Sequence, residues 1–186
     1  MRRLFPLALI AILSLGALSC GGKGESETET AATPAPDSVL TATEIPAEGV
    51  VWMSFAEGQA RAAAEGKPMV VDFWTTWCHW CKVMDKDTYS DATIQRRLAE
   101  GFIAVKVNAE SPEVQGGEGA PTGVDLARSF QVNSYPTTWF VDSKGEKIAP
   151  LPGFVPPDRF ALVLDYISSA AYKTQSFQEY QAGLEG

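Results

Sequence analysis

Residues 69–82 read MVVDFWTTWCHWCK. Met69 to Trp74 is a short run of apolar and aromatic residues of the kind found in strands buried on both faces, and it predicts a strand there. A helix is expected to begin at Cys78 and run to about Lys86, which puts Cys78 and Cys81, at i and i+3, on its first turn. Cysteines so spaced can close a small disulfide, and a helix N-terminus favours an anion, so the first thiol is the more acidic. The thiolate is the attacking species in disulfide exchange. Cys78 is therefore the expected nucleophile, exposed to solvent, and Cys81 the more buried thiol that resolves the mixed disulfide. Zinc needs about four ligands, and three cysteines with one histidine do not supply a second set, so no metal site is expected. Haem attachment wants a histidine directly after the second cysteine, where Lys82 stands. A purely structural cross-link over so short a loop would add little stability.

Outward from this stretch, helix and strand patterns alternate. Ser54-Phe55-Ala56-Glu57 is a capping box that opens an Ala-rich helix to about Glu65, which Gly66-Lys67-Pro68 ends. After Lys86, Tyr89-Ser90-Asp91 breaks the helix and a second helical stretch continues to Glu100. Phe102 to Val107 reads as another buried strand, and Val124 to Phe130 as a short helix. Thr137 to Val141 and Lys147 to about Leu151 flank Asp142-Ser143-Lys144-Gly145, a good hairpin turn. Pro156-Pro157-Asp158 opens a last amphipathic helix to about Ala170. This order predicts a three-layer α/β domain, a central mixed β-sheet flanked by helices, whose last strands pair antiparallel. Trp74 and Trp139 are expected in its core.

The whole chain has 186 residues, 45% hydrophobic and 20% charged, which suits one globular domain with some tail left over. Its formal charge of −8 excludes a nucleic-acid binder held by a basic surface.

Val70-Val71-Asp72-Phe73-Trp74 followed by Trp77-Cys78-His79-Trp80-Cys81-Lys82 resembles the strand and active-site turn of the thioredoxin superfamily. Asp72 stands at the position of that family's buried aspartate, and Lys106 at that of the lysine that partners it. Ser134-Tyr135-Pro136-Thr137 matches the family's cis-proline loop, and Gly153 the glycine after the last strand. The resemblance covers about Val50 to Ala170. Within the superfamily, the Trp-Cys-x-x-Cys-Lys motif followed by Tyr89-Ser90-Asp91 is similar to the C-terminal domain of the transmembrane reductase DsbD and related exported proteins. The resemblance implies that Asp72, its pKa raised by burial, takes the proton from Cys81 as that thiol attacks, with Lys106 tuning the carboxylate. It also implies that Pro136 is cis and sets the backbone of Tyr135 alongside Cys78, ready to pair with an extended substrate. Trp77 and Trp80 would shape an apolar rim, and a protonated His79 would favour the Cys78 thiolate. Two features depart from the family: His-Trp replaces Gly-Pro between the cysteines, and an acidic, Gly-rich segment, Glu110 to Gly123, is added. That segment reads either as a surface loop or as a specificity element facing the active site.

Met1-Arg2-Arg3 and the apolar run Leu4 to Leu18 fit a secretory signal, being short for a bilayer span of roughly 20 residues. Gly16-Ala17-Leu18-Ser19-Cys20 resembles the bacterial lipobox, which implies cleavage after residue 19 and a lipid on Cys20. Residues 20–48 contain no aromatic residue and are rich in Gly, Glu, Thr, Ala and Pro, so they read as a disordered tether. The expected organisation is a lipoprotein signal peptide over 1–19, lipidated cysteine and tether over 20–48, thioredoxin-like domain over 49–172, and an extension over 173–186. That extension is either a short helix covering the domain or a frayed end.

The expected function is an exported, lipid-anchored thiol–disulfide oxidoreductase of the bacterial cell envelope, facing the periplasm or cell exterior. It would reduce protein disulfides through the Cys78–Cys81 dithiol. No cofactor is expected beyond that redox-active disulfide. The partners would be protein thiols and disulfides, a transmembrane electron donor and, through the lipid, the membrane, but no nucleic acid; a monomer is expected. The alternatives are a dithiol oxidase or isomerase, or a non-catalytic thioredoxin-like module that holds clients.

Overall fold

The computed structural model describes residues 49–185. The signal peptide, Cys20 and the tether expected over 1–48 lie outside the described residues. Along the chain come α1 (Phe55–Glu65), β1 (Met69–Trp74), α2 (His79–Asp87), α3 (Ala92–Gly101) and β2 (Ile103–Asn108). They are followed by α4 (Gly123–Ser129), β3 (Thr137–Val141), β4 (Lys147–Pro152), α5 (Pro157–Ser168), a 3₁₀ turn (Ala171–Lys173) and α6 (Phe177–Leu184). The sheet order is β2-β1-β3-β4, with β1 and β2 parallel and the other pairs antiparallel, as the sequence predicts.

Local chemistry starts and stops these elements. Ser54 and Glu57 close the capping box of α1, and Gly66, at φ 68°, ends it in a left-handed turn that costs glycine little. Asp91 accepts the amides of Thr93 and Ile94 at 2.8 and 3.1 Å and so restarts the chain as α3 after the break at Tyr89-Ser90. In the β3–β4 turn Asp142 accepts the amides of Lys144 and Glu146. The sequence places β2 and α4 one residue off: the Phe102 amide bonds the Leu98 carbonyl and is the C-cap of α3, and Thr122 caps α4 from one place earlier.

Strand alternation divides the core into two layers. Met69, Val71 and Phe73 of β1 face Phe55 and Ala62 of α1, Leu126 of α4 and Phe130. Val70 faces the opposite way, toward Met84, Ile94, Leu98, Phe160 and Leu164 of α2, α3 and α5. Trp74 and Trp139 are half-buried rather than core. Trp74 ends β1 near the Lys106 ammonium, and Trp139 packs at the edge of its layer against Phe130. The C-terminal extension is the helix rather than the frayed end. Phe177 and Tyr180 of α6 pack on Tyr166 with ring centroids 5.4 and 5.3 Å apart, and the Tyr166 hydroxyl donates to the Gln175 carbonyl at 2.7 Å. Among the described residues no helix is long and apolar enough to cross a membrane.

The segment between β2 and α4 is braced at both ends. The Ala56 amide donates to the Gln115 carbonyl at 3.0 Å, and Val114 pairs with Thr122 across the loop. Gly123 is the close-approach point, because a Cβ there would overlap the Asn108 carbonyl oxygen. Gly123→Ala is therefore expected to destabilise the domain by about 1–3 kcal/mol, since backbone on both sides cannot yield. A urea midpoint unchanged from wild type would contradict that account.

Candidate active site

The site is assembled where the C-terminal end of β1 meets the first turn of α2. Cys78 is the N-cap residue of α2 and forms a disulfide with Cys81. Its Sγ accepts the Cys81 amide at 3.0 Å, and its own amide donates to the Thr75 carbonyl at 3.3 Å. The expectation of an exposed Cys78 beside a more buried Cys81 does not hold: the two residues are 3% and 4% exposed. The closed disulfide draws Cys78 into the capped turn as deeply as its partner.

The aromatic residues differ in exposure. Trp77 and Trp80 are 66% and 54% exposed, whereas Tyr135 is half-buried and Pro136 buried. Trp77 sets its edge on Tyr135 at 5.8 Å, and Trp80 lies over Phe154 at 5.7 Å, with His79, exposed, against its edge at 5.5 Å. The Tyr135–Pro136 bond is cis. Thr137 Oγ1 donates to the Ser134 carbonyl at 2.8 Å, and the Gly153 amide to the Pro136 carbonyl at 2.7 Å, so the end of β4 holds the proline loop. A surface cleft of about 230 Å³ lined by Val51, Arg61, Gln95 and Phe102 contains none of these residues.

A polar row crosses the sheet and is tied to α2 through Asp85. Register places Lys106 of β2, Asp72 of β1 and Thr138 of β3 side by side. Asp72 is 2% exposed, its Oδ2 stands 3.6 Å from Lys106 Nζ, and its Oδ1 has no hydrogen-bond partner among the described residues. Burial pushes the Asp72 carboxyl up to about 6, against the pull of the Lys106 charge and with a further push from Asp85. Sequence reasoning found Asp72 and Lys106 but missed two neighbours. Asp85, one turn beyond Cys81 on α2, also pairs with Lys106, so two carboxylates share one ammonium. Tyr89, 4% exposed, sets its hydroxyl 3.2 Å from Thr138 Oγ1 and its ring under the Lys106 ammonium, and its hydroxyl favours the ionised Asp72. Burial and the Asp72 charge hold the Tyr89 phenol well above its usual range, so it stays a neutral donor. The i+4 spacing of Asp85 after Cys81 was the available signal; Tyr89 read as a helix breaker and as part of the family resemblance, not as a neighbour of Asp72.

Such a site defines a class: a domain with a helix-capping cysteine pair closed as a disulfide and a carboxyl buried in the adjoining sheet. The thioredoxin-like domain family matches residues 55–168, and the chain belongs to it. The chain is 34% identical over 102 residues to the thiol:disulfide interchange protein DsbD of Yersinia pestis, which covers 53% of this chain and 16% of that protein. It thus spans about a sixth of the length of that curated relative. A thioredoxin from Thermus thermophilus superposes with a TM-score of 0.55 at 29% identity, covering 64% of this chain and 87% of the other. A thioredoxin-fold protein from Helicobacter pylori, at 24% identity and a TM-score of 0.56, covers 65% and 81% and shares the fold.

The raised Asp72 carboxyl has a stability consequence of definite sign. Below pH 4 both folded and unfolded chains hold its proton. Between about 4 and 6 the unfolded chain loses the proton first, so stability falls as pH rises, by about 2–3 kcal/mol in total. Asp72→Asn is expected to be more stable than wild type by that amount at pH 7.5, with the gap closing by pH 4; parallel denaturation curves at both pH values would contradict this. Asp85→Asn should move the Asp72 midpoint down and Tyr89→Phe should move it up, as read by carboxyl-carbon NMR titration.

Proposed function

We propose that this protein is a thiol–disulfide oxidoreductase of the bacterial cell envelope that reduces disulfides in other proteins. The observation that carries the reading is the Cys78–Cys81 disulfide capping α2, the helix whose Asp85 shares Lys106 with the buried Asp72 carboxyl. The name of the DsbD relatives, thiol:disulfide interchange protein, supports it. In the reduced protein the Cys78 thiolate attacks one sulfur of a client disulfide, and the other client sulfur leaves as a thiolate. Cys81 then gives its proton to Asp72 and attacks the Cys78 sulfur, releasing the second client thiolate. The client gains two electrons, and its thiolates take up two protons at neutral pH. The protein is left as the Cys78–Cys81 disulfide. Lys106, shared between Asp72 and Asp85, limits how tightly Asp72 holds its charge and so how readily it accepts that proton.

An oxidising compartment requires a dithiol donor to restore the reduced form, and a transmembrane electron donor fills that place. The lipobox-like Cys20 would anchor the chain, residues 20–48 would tether it, and the domain over 49–172 with its extension over 173–186 would act as a monomer without an added cofactor. Trp77, Trp80 and Tyr135 would form the surface against which a client strand lies, with His79 favouring the Cys78 thiolate.

Two measurements test the reading. Cys81→Ala should trap client proteins as mixed disulfides, and Cys78→Ser in that background should trap none; partners retained equally by both would indicate a passive binding module. The reduction potential should lie near the value of about −270 mV typical of thioredoxin, whereas one near −120 mV would assign the protein to oxidation or isomerisation.

A further inference from the structure

The added segment after β2 begins with a residue that touches the disulfide site. Asn108 Oδ1 accepts the Glu110 amide at 3.1 Å, turning the chain as β2 ends. This places Glu110 Oε1 2.7 Å from Trp77 Nε1, the indole N–H donating, and Oε2 3.5 Å from the Thr76 hydroxyl. Trp77 in turn carries Tyr135, the residue before Pro136, and the charge of Glu110 is felt at the Tyr135 hydroxyl. Glu110 is solvent-exposed and forms no ion pair among the described residues. From Val107 to Ala127 the chain holds Glu110, Glu113, Glu118 and Asp125 but no Lys or Arg. The rim formed by Trp80 over Phe154 holds no carboxylate; its neighbour there is His79. Asp125 pairs with Arg128, so of these acids it is Glu110 that the structure brings to Trp77 beside Cys78, held in place by its bond to the indole.

We propose that Glu110 makes this site select disulfide partners that carry Lys or Arg beside the reacting cysteine. The inference rests on the oxidoreductase reading above and adds the chemical class of its substrate. A client strand laid along Tyr135 passes the Glu110 carboxylate while the mixed disulfide forms, so a cation on that strand is attracted and an anion repelled. At an exposed site such an interaction is worth about two- to fivefold for each sign of charge, and it weakens as salt rises. The same field steers encounter, so the preference falls on the second-order rate.

The test uses three disulfide-linked peptides of one length, with Lys, Ser or Glu flanking the cysteines, reacted with the reduced full-length protein and followed by tryptophan fluorescence. The wild type is expected to react with the Lys peptide about tenfold faster than with the Glu peptide at low ionic strength, the Ser peptide falling between. Glu110→Gln keeps an oxygen for the Trp77 indole but removes the charge, and should bring that ratio below about twofold; 0.5 M salt should do the same to wild type. Equal rates for the three peptides, or a ratio that survives Glu110→Gln, overturn the inference and leave the oxidoreductase reading standing. No exchange with any peptide overturns both.

Discussion

A carboxylate without a full set of donors in a hydrophobic core sets the terms for the rest of this site. Asp72 occupies a row of the central sheet where Val70 and Phe140 lie on the same layer, and burial there disfavours its charge. The fold does not neutralise it outright. It supplies one ammonium, Lys106, at 3.6 Å and then divides that ammonium with Asp85. A tighter Asp72–Lys106 pair would stabilise the anion and leave a poor base. No cation at all would leave the carboxyl protonated throughout. The shared lysine leaves a carboxyl raised to about 6, tied through Asp85 to the helix that begins with the cysteine pair.

The cation itself is held by aromatic faces as well as by charge. Lys106 Nζ stands 4.9 Å from the Trp52 ring centroid, 5.7 Å from that of Tyr89 and 5.9 Å from that of Trp74. These rings enclose the lysine stem and limit its exchange with water. Trp52 comes from the segment before α1, whose Met53 pairs with Val105 beside β2. The start of the described chain is thus part of the electrostatics of the site, although it lies far from the cysteines in sequence. At the surface a second carboxylate, Glu110, orients Trp77 beside the cis-proline loop. One carboxylate lies buried in the sheet row beside Lys106, and the other is exposed at the surface against Trp77.

Much of this was legible in the chain. Strand β1 announced itself as an apolar run because both its faces are covered, and α1, α3 and the β3–β4 turn announced themselves through caps and turn residues that act over three or four positions. The cysteine pair, Asp72, Lys106 and Pro136 were legible through their resemblance to a known family. The errors have physical causes. The exposure of Cys78 was misjudged because the closed disulfide and the helix cap act together on one residue. Trp74 and Trp139 were assigned to the core on hydrophobicity alone, yet each ends in a half-buried position beside a lysine.

Asp85 and Tyr89 show where sequence reading stops. Each is ordinary locally, a helical acid and a residue at a helix end, and each becomes part of the site only because α2 packs across the sheet row that holds Asp72. Glu110 is the same case: its carboxylate reaches Trp77 across 33 positions of sequence, through the turn at the end of β2. What the sequence by itself determined was the order of elements, the two-layered core and the cysteine pair at a helix start, because periodicity, capping and i, i+3 spacing act over a few residues. Only the tertiary structure decided which charges share Lys106, which carboxylate meets Trp77, and how deeply each cysteine lies. Burial and Coulomb interactions depend on distance in space, and the chain does not carry that distance in its order.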